Sequence, residues 1–444
     1  MEWLIYISFL VIGLLSYYKT TIDSSLVLIL LSLSILFVFN YQAAIAVTCL
    51  TGITYFLQSS KKRAWLGITI QIVILIWVNY FLEKGILFNL GLSYYGLQNI
   101  GILLTSIRKS PQNISFNQIL ISNIFFPKFI SGPILTFKEI VDFKTDNTFE
   151  STNIYMGINR ILFGVLKKLV LADNITVITN TVFDHPESQF KGITISIAGL
   201  LFTIEMYLNF SAYTDIALGT ARLFNIKLKE NFNLPMRSFS ISEYWKKTHI
   251  SLIDWLTQNI FYYITFIWRK HPMSSIILGI LITFTLSGIW HGSAVGFLIW
   301  GLLNALYLIV DFFIKKLKLA ENKIYNYLGW SITILAVSFA NLFFRSRYYA
   351  NSEKLVQQLT DPVNWDFNWA EDVIAILGNG GYLEQQFNLA IILLCITSFL
   401  IFEHKLENLA KLNKPSITYY SVIILLIFML GNFNAGTKFI YMQF

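Results

Sequence analysis

Apolar runs recur along the whole chain, separated by short polar or basic breaks. A helix that crosses a bilayer needs about 20 mainly apolar residues. Candidate runs are Trp3–Tyr18, Leu26–Phe39, Ala43–Leu57, Ala64–Leu82 and Ile86–Ile107. Further runs are Ile193–Phe210, Ser275–Trp290, Ala294–Val310, Tyr327–Phe344, Asn388–Phe402 and Thr418–Asn432. The pattern predicts an all-α, polytopic transmembrane bundle of about eleven spans, the shorter of which suit tilted or re-entrant elements.

The middle of the chain departs from this regularity. Ile121–Phe137 is apolar but contains Pro127, Gly132 and Pro133. Broken backbone cannot face lipid, so this stretch is expected inside protein or along a cavity. Ile154–Ala172 carries Arg160, Lys167 and Lys168 among apolar residues, the pattern of an amphipathic helix at the interface or against the bundle. Re-entrant or interfacial helices are expected around residues 121–137 and 236–262. Arg345–Gln386 is the longest polar stretch and is expected to be an extramembranous loop. No internal repeat divides the chain, so residues 1–444 are taken as one integral membrane domain.

Composition agrees with this picture. Of 444 residues, 55% are hydrophobic, 16% aromatic and 13% charged, against about 25% charged in soluble proteins. The net charge of +8 lies in short clusters between apolar runs, which points to membrane topology and away from nucleic acid. Lys61-Lys62-Arg63 and Arg108-Lys109 both fall inside if the N-terminus lies outside. Trp3–Tyr18 lacks a basic leader and a small-residue cleavage pattern, so it is expected to stay as the first span. Cys49 and Cys395 sit in apolar runs and suggest neither a disulfide framework nor a metal site.

Four places carry candidate chemistry. His291, next to Trp290, is the only acidic or basic side chain between His271 and Asp311. Such a group inside a span marks a functional site by default, and histidine is the usual general base near neutral pH. The plainer reading is a histidine that bonds across helices. His249 follows Trp245, Lys246 and Lys247, and an interfacial position accounts for it equally simply. Glu205, Asn209 and Tyr213 are spaced by four and share a helix face, with Asp215 close by. They form either a helix-locking network, with Arg160 or Arg222, or a tunnel lining. Lys128 lies in the broken segment, either snorkelling to the interface or lining a channel. No phosphate-binding glycine loop and no zinc spacing is present.

Several ordered stretches carry a resemblance: GLSYYGLQNIG (Gly91–Gly101), FFPKFISGP (Phe125–Pro133), NFSAYTDIALG (Asn209–Gly219), ENFNLP (Glu230–Pro235) running into WKKTHISL (Trp245–Leu252), and GIWHG (Gly288–Gly292) before Trp300-Gly301. Together they resemble the membrane-bound O-acyltransferase family, in the branch of alginate O-acetyltransferases and of the membrane component of teichoic-acid D-alanylation. The tail Phe439–Phe444 resembles the ending of the alginate-type branch, and residues 91–310 form the family core. The resemblance implies that His291 matches the family's essential histidine and His249 its second one. Two features depart from the family pattern. Asn209 stands where an acidic residue is frequent, and Ile260–Phe266 replaces the usual basic-aromatic run.

The resemblance implies a bacterial cytoplasmic-membrane enzyme that moves an acyl group, acetyl in the first instance, onto a hydroxyl outside. The donor is expected to be acetyl-CoA or an acyl-carrier thioester reached through a central tunnel, with no bound cofactor and no metal. Trp290, Trp245, Lys128, Glu205, Asn209, Tyr213 and Asp215 are the expected tunnel or substrate residues. Expected partners are membrane lipids, a polysaccharide acceptor and a separate extracytoplasmic protein that accepts the acyl group. Alternatives are D-alanyl transfer to teichoic acid and a transporter or flippase.

Overall fold

The computed structural model describes residues 2–81, 92–108, 114–129, 132–143, 145–184, 192–292, 294–317, 323–346, 349–361, 365 and 382–433. Regular structure among these residues is helical. The first helices are α1 (Glu2–Lys19), α2 (Ser24–Leu57), α3 (Lys61–Phe81), α4 (Leu92–Arg108) and α5 (Phe116–Ile124). The next are α6 (Phe137–Val141), α7 (Ser151–Leu166), α8 (Asp173–Phe183) and α9 (Gly192–Leu223). Short helices α10 (Ile241–Lys247), α11 (Ile250–Leu256) and α12 (Tyr262–Ile267) follow. Then come α13 (Pro272–His291), α14 (Val295–Lys316), α15 (Lys323–Ser346), α16 (Tyr349–Thr360), α17 (Tyr382–Ala410) and α18 (Ile417–Leu430).

Five described helices are long and apolar enough to cross a membrane: α2, α9, α13, α14 and α15. Two expected spans, Leu26–Phe39 and Ala43–Leu57, are the arms of α2. Asn40 leaves helical geometry at φ −162° and ψ 96°, and its Oδ1 accepts the Ala43 N–H at 2.9 Å. The side chain thus caps the second arm while the backbone bends. Residues 82–91, which include the start of the expected Ile86–Ile107 span, and the tail Phe439–Phe444 lie outside the described residues.

The Pro127 segment is broken, as its sequence demands. Helix α5 starts on a Ser115–Gln118 capping box and ends at Ile124. A single 3-10 turn, Phe126–Lys128, carries Pro127 where no N–H is needed. Phe125, Phe126, Phe129, Ile134 and Leu135 are all buried, so the irregular backbone lies inside protein.

One expectation is corrected. Residues 345–386 are not a loop throughout, because α16 runs from Tyr349 to Thr360 and buries Leu355 against Val182 and Ile195. A few apolar anchors suffice to dock a helix that is polar on its remaining faces.

Two helix pairs pack by backbone approach at glycines, as small residues allow. Between α7 and α9, a Cβ on Gly157 would lie 2.8 Å from the Gly219 carbonyl oxygen, and one on Gly164 2.6 Å from that of Ala212. Between α13 and α14, a Cβ on Gly288 would lie 2.4 Å from the Phe297 oxygen, and one on Gly301 2.5 Å from the Phe284 oxygen. The second pair fixes the end of α13, where His291 sits. Gly288→Ala is therefore expected to lower the melting temperature of the detergent-purified protein by several degrees. Gly52→Ala, whose Cβ would meet nothing within 4 Å, should not lower it. Equal melting temperatures for the two variants would refute this packing.

Candidate active site

His291 is the last residue of α13, and Gly292 ends the helix at φ +146°. Its imidazole is 7% exposed and walled by aromatic rings. Ring centroids lie 4.8 Å away for Trp290, 5.2 Å for Trp300 and 5.0 Å for Phe344. Those walls are fixed in turn. Trp300 Nε1 donates to Asn341 Oδ1 at 3.0 Å, and Asn341 Nδ2 donates to Thr203 Oγ1 at 3.0 Å. Trp245 packs edge-on to Trp300 at 5.6 Å and donates through Nε1 to Asn304 Oδ1 at 3.2 Å.

His249 reaches the same cluster from another element. It stands at the N-terminus of α11 with φ +46° and ψ 49°, a left-handed conformation that a non-glycine residue adopts at a cost. Its ring is 4.6 Å from Phe210 and 6.0 Å from Tyr94. Tyr94 then meets Trp290 edge-on at 5.3 Å. Tyr94 and Trp290 therefore bridge the two histidines. His249 is 4% exposed, and neither ring nitrogen has a hydrogen-bond partner among the described residues. A buried polar group in that state stands ready for a ligand or water.

The comparisons with known proteins bear on this arrangement. The model of MBOAT, the membrane-bound O-acyltransferase family, matches residues 3–345. The chain belongs to the membrane-bound O-acyltransferase family. Over 270 residues it is 28% identical to a probable alginate O-acetylase AlgI of Pseudomonas putida, covering 60% of this chain and 54% of that protein. It is 28% identical over 315 residues to a peptidoglycan O-acetyltransferase of Helicobacter pylori, covering 64% and 59%. It is 28% identical over 282 residues to a teichoic acid D-alanyltransferase of Bacillus subtilis, covering 60% and 69%. The chain spans a little over half the length of the first two relatives.

The other expected site residues of this O-acyltransferase-family chain divide into paired and unpaired groups. Asp215, 2% exposed, is enclosed by Arg160 at 2.6 Å and Lys167 at 2.5 Å. Arg160 also pairs with Glu230 at 2.7 Å. Lys168 pairs with Asp173. The basic helix thus packs against α9, not at the interface, and π-helical turns at Lys167–Ala172 send its two lysines to separate carboxylates. Glu205 takes neither Arg160 nor Arg222. Its carboxylate accepts Thr176 Oγ1 at 2.9 Å and Thr179 Oγ1 at 2.5 Å. The half-buried Tyr213 lies 5.6 Å from the Lys168 ammonium. Asn209 is fully buried, and neither atom of its amide has a partner among the described residues.

Lys128 does not snorkel. Its ammonium donates inward, to Gln98 Oε1 at 3.0 Å and the Ser122 oxygen at 2.8 Å. Because lysine only donates, it fixes the orientation of the amides behind it. Gln98 Nε2 donates to Asn123 Oδ1 at 2.7 Å, and Asn123 Nδ2 donates to Asn99 Oδ1 at 2.9 Å. Gln98 sits one turn beyond Tyr94 on the same face of α4, so this relay backs the wall next to His249.

Sequence reasoning singled out neither Tyr94, Phe210, Trp300 nor Phe344. The first three lie in the motif runs, but only the tertiary fold shows which side chains of those runs point at the histidines. The buried ion network gives a direct test. Asp215→Ala leaves the buried Lys167 without its carboxylate and Arg160 with Glu230 alone, and is expected to cost about 3–5 kcal/mol. Asp254→Ala breaks the half-exposed Lys229 pair and should cost under about 1 kcal/mol. Chemical unfolding in mixed micelles compares the two, and similar losses would contradict the assignment.

Proposed function

We propose that this chain is an O-acyltransferase that takes an acyl group, acetyl in the first instance, from a cytoplasmic thioester and passes it to a hydroxyl outside the membrane. The observation that carries this reading is the convergence of His249 and His291, 42 positions apart, on one aromatic cluster bridged by Tyr94 and Trp290. Family membership and relatives that bear acetyl- and alanyl-transfer names support it.

In this reading His291 removes the proton from the acceptor hydroxyl as its oxygen attacks the thioester carbonyl. A carbon–oxygen bond forms and the carbon–sulfur bond breaks. The proton held on His291 then passes to the departing thiolate, so the imidazole ends neutral. His249 orients the donor or stabilises charge developing on the carbonyl oxygen. Rings packed around His291 keep bulk water from hydrolysing the thioester. The donor is a thioester of coenzyme A or of a carrier protein, and the acceptor is a polysaccharide hydroxyl or a serine of a separate extracytoplasmic protein. Cell-envelope acceptors in the names of the relatives favour the bacterial cytoplasmic membrane, with Lys61-Lys62-Arg63 inside and the N-terminus outside. D-alanyl transfer is the second reading, favoured by the likeness to the Bacillus subtilis protein.

Labelled acetyl-CoA and a labelled alanyl carrier, offered to membranes with an extracellular acceptor, separate the two donors. His291→Ala is expected to abolish transfer while the protein still purifies as a folded species. For His249 the informative change is His249→Asn, since asparagine tolerates the left-handed backbone. It should lower transfer by about 10²-fold or more, the scale of a lost proton-transfer or orienting group. Full activity in a folded His291→Ala protein would remove His291 from the chemistry.

A further inference from the structure

His249 owes its position to a clamp built from the segment that precedes α10. On one side of the histidine, the Asn233 N–H donates to the Lys247 oxygen at 2.9 Å. On the other, the Ile250 N–H donates to the Asn231 oxygen at 2.9 Å. Asn231 adds its side chain: Oδ1 accepts the Ser251 N–H at 3.0 Å and the Ser251 hydroxyl at 2.9 Å. The His249 oxygen in turn accepts the N–H groups of Leu252 and Ile253 and starts α11. Asn231 is wholly buried. Among the described residues, three non-glycine residues have positive φ, and two of them, Leu234 and His249, lie in the two strands of this clamp.

Such a backbone costs about 1–3 kcal/mol per residue and persists only where surrounding contacts over-determine it. Here the contacts are those of residues 231–233. An extended His249 would break the Asn231 bonds to Ile250 and Ser251 together and swing the ring away from Phe210 and Tyr94. Asn231 does in this turn what a helix cap does, satisfying an N–H at the start of α11, from 20 residues upstream instead of from the cap position.

We infer that Asn231 is the positioning residue that holds His249 in its left-handed conformation and so aims its imidazole at the aromatic cluster shared with His291. It acts through His249 and is not itself placed against the reacting atoms. The functional part of this inference rests on the reading of His249 as a participant in transfer. The clamp uses only oxygens of Asn231, while Nδ2 has no partner among the described residues. Aspartate, held as the neutral acid at this wholly buried position, keeps the accepting oxygen and can therefore replace it, and the isosteric leucine cannot.

The test uses the full chain in membranes and in detergent. Asn231→Leu should lower kcat about 10-fold or more with little change in KM. Asn231→Asp should recover most of the loss, and Ser251→Ala, which removes only the hydroxyl donor, should give a smaller one. In a His249→Asn background, Asn231→Leu should add less than about 2-fold, the non-additivity expected of residues acting as a unit. A second readout needs no activity. Diethyl pyrocarbonate modification of His249, scaled by mass spectrometry to the exposed His271, should rise several-fold in Asn231→Leu and stay low in Asn231→Asp. Wild-type modification together with wild-type transfer in Asn231→Leu overturns the inference, as does full additivity with His249→Asn. Raised modification with unchanged transfer leaves the clamp standing and defeats the catalytic reading of His249. If Asn231→Leu does not fold, wild-type behaviour of Asn231→Asp in both readouts supports the clamp. Raised modification in the folded Asn231→Asp protein counts against it.

Discussion

Charge buried among apolar helices sets the terms for the rest of this molecule. Arg160 and Lys167 meet Asp215 across the α7–α9 contact, and Glu230 closes the group from the segment that follows α9. Arg160, Lys167 and Asp215 could not sit at that depth alone. Their pairing fixes α9 against α7, and the glycines at 157, 164 and 219 let the two backbones come close enough for it. Because Glu230 belongs to the network, the chain leaves it at a defined place, and the next residue is Asn231. The ion network thereby sets the starting point of the clamp that positions His249.

The second constraint is aromatic. His291 has rings on several sides; the Trp300 indole among them is hydrogen-bonded to Asn341 on α15, and Trp245, packed against Trp300, to Asn304 on α14. Indole N–H groups are rarely left unpaired when buried. Their bonds to Asn304 and Asn341 therefore restrict how the rings around His291 can rotate. The histidine is thus held by packing at a helix end, whereas His249 is held by backbone hydrogen bonds in a strained turn. Two unlike kinds of support bring two imidazoles to one cluster.

What could be read from the sequence follows from how local each feature is. The apolar runs of α13, α14 and α15 are local, and so was the isolation of His291 among apolar residues. The break at residues 40–42 was legible as a gap between two runs. Its nature as a kink within one helix was not, because it depends on Asn40 capping the turn that follows. The placement of Lys167 and Lys168 was left between interface and bundle for a related reason: the partner that decides it, Asp215, lies 48 positions from Lys167. Helix α16 was misread because its polar residues suit solvent as well as they suit a helix, and its anchoring depends on Val182 and Ile195. The role of Asn231 was invisible, since ENFNLP shows neither a charge out of place nor an apolar period.

Pairing also sorts the polar residues that sequence alone had grouped together. Lys128, Glu205 and Asp215 each have partners that account for their burial, so their presence at depth is explained by structure before any ligand is invoked. His249 and Asn209 are different, because burial without a partner is unfavourable by about 1–3 kcal/mol per group, and the fold nonetheless retains both. A network that merely locks helices would have no reason to keep them in that state. Asn209 immediately precedes Phe210, whose ring lies against His249. Two buried groups that the protein itself does not compensate, His249 and Asn209, thus lie beside the aromatic cluster. In the proposed reading the chemistry falls at the edge of the ion network and not within it, with the paired charges acting as the frame and His249 and Asn209 as the working face.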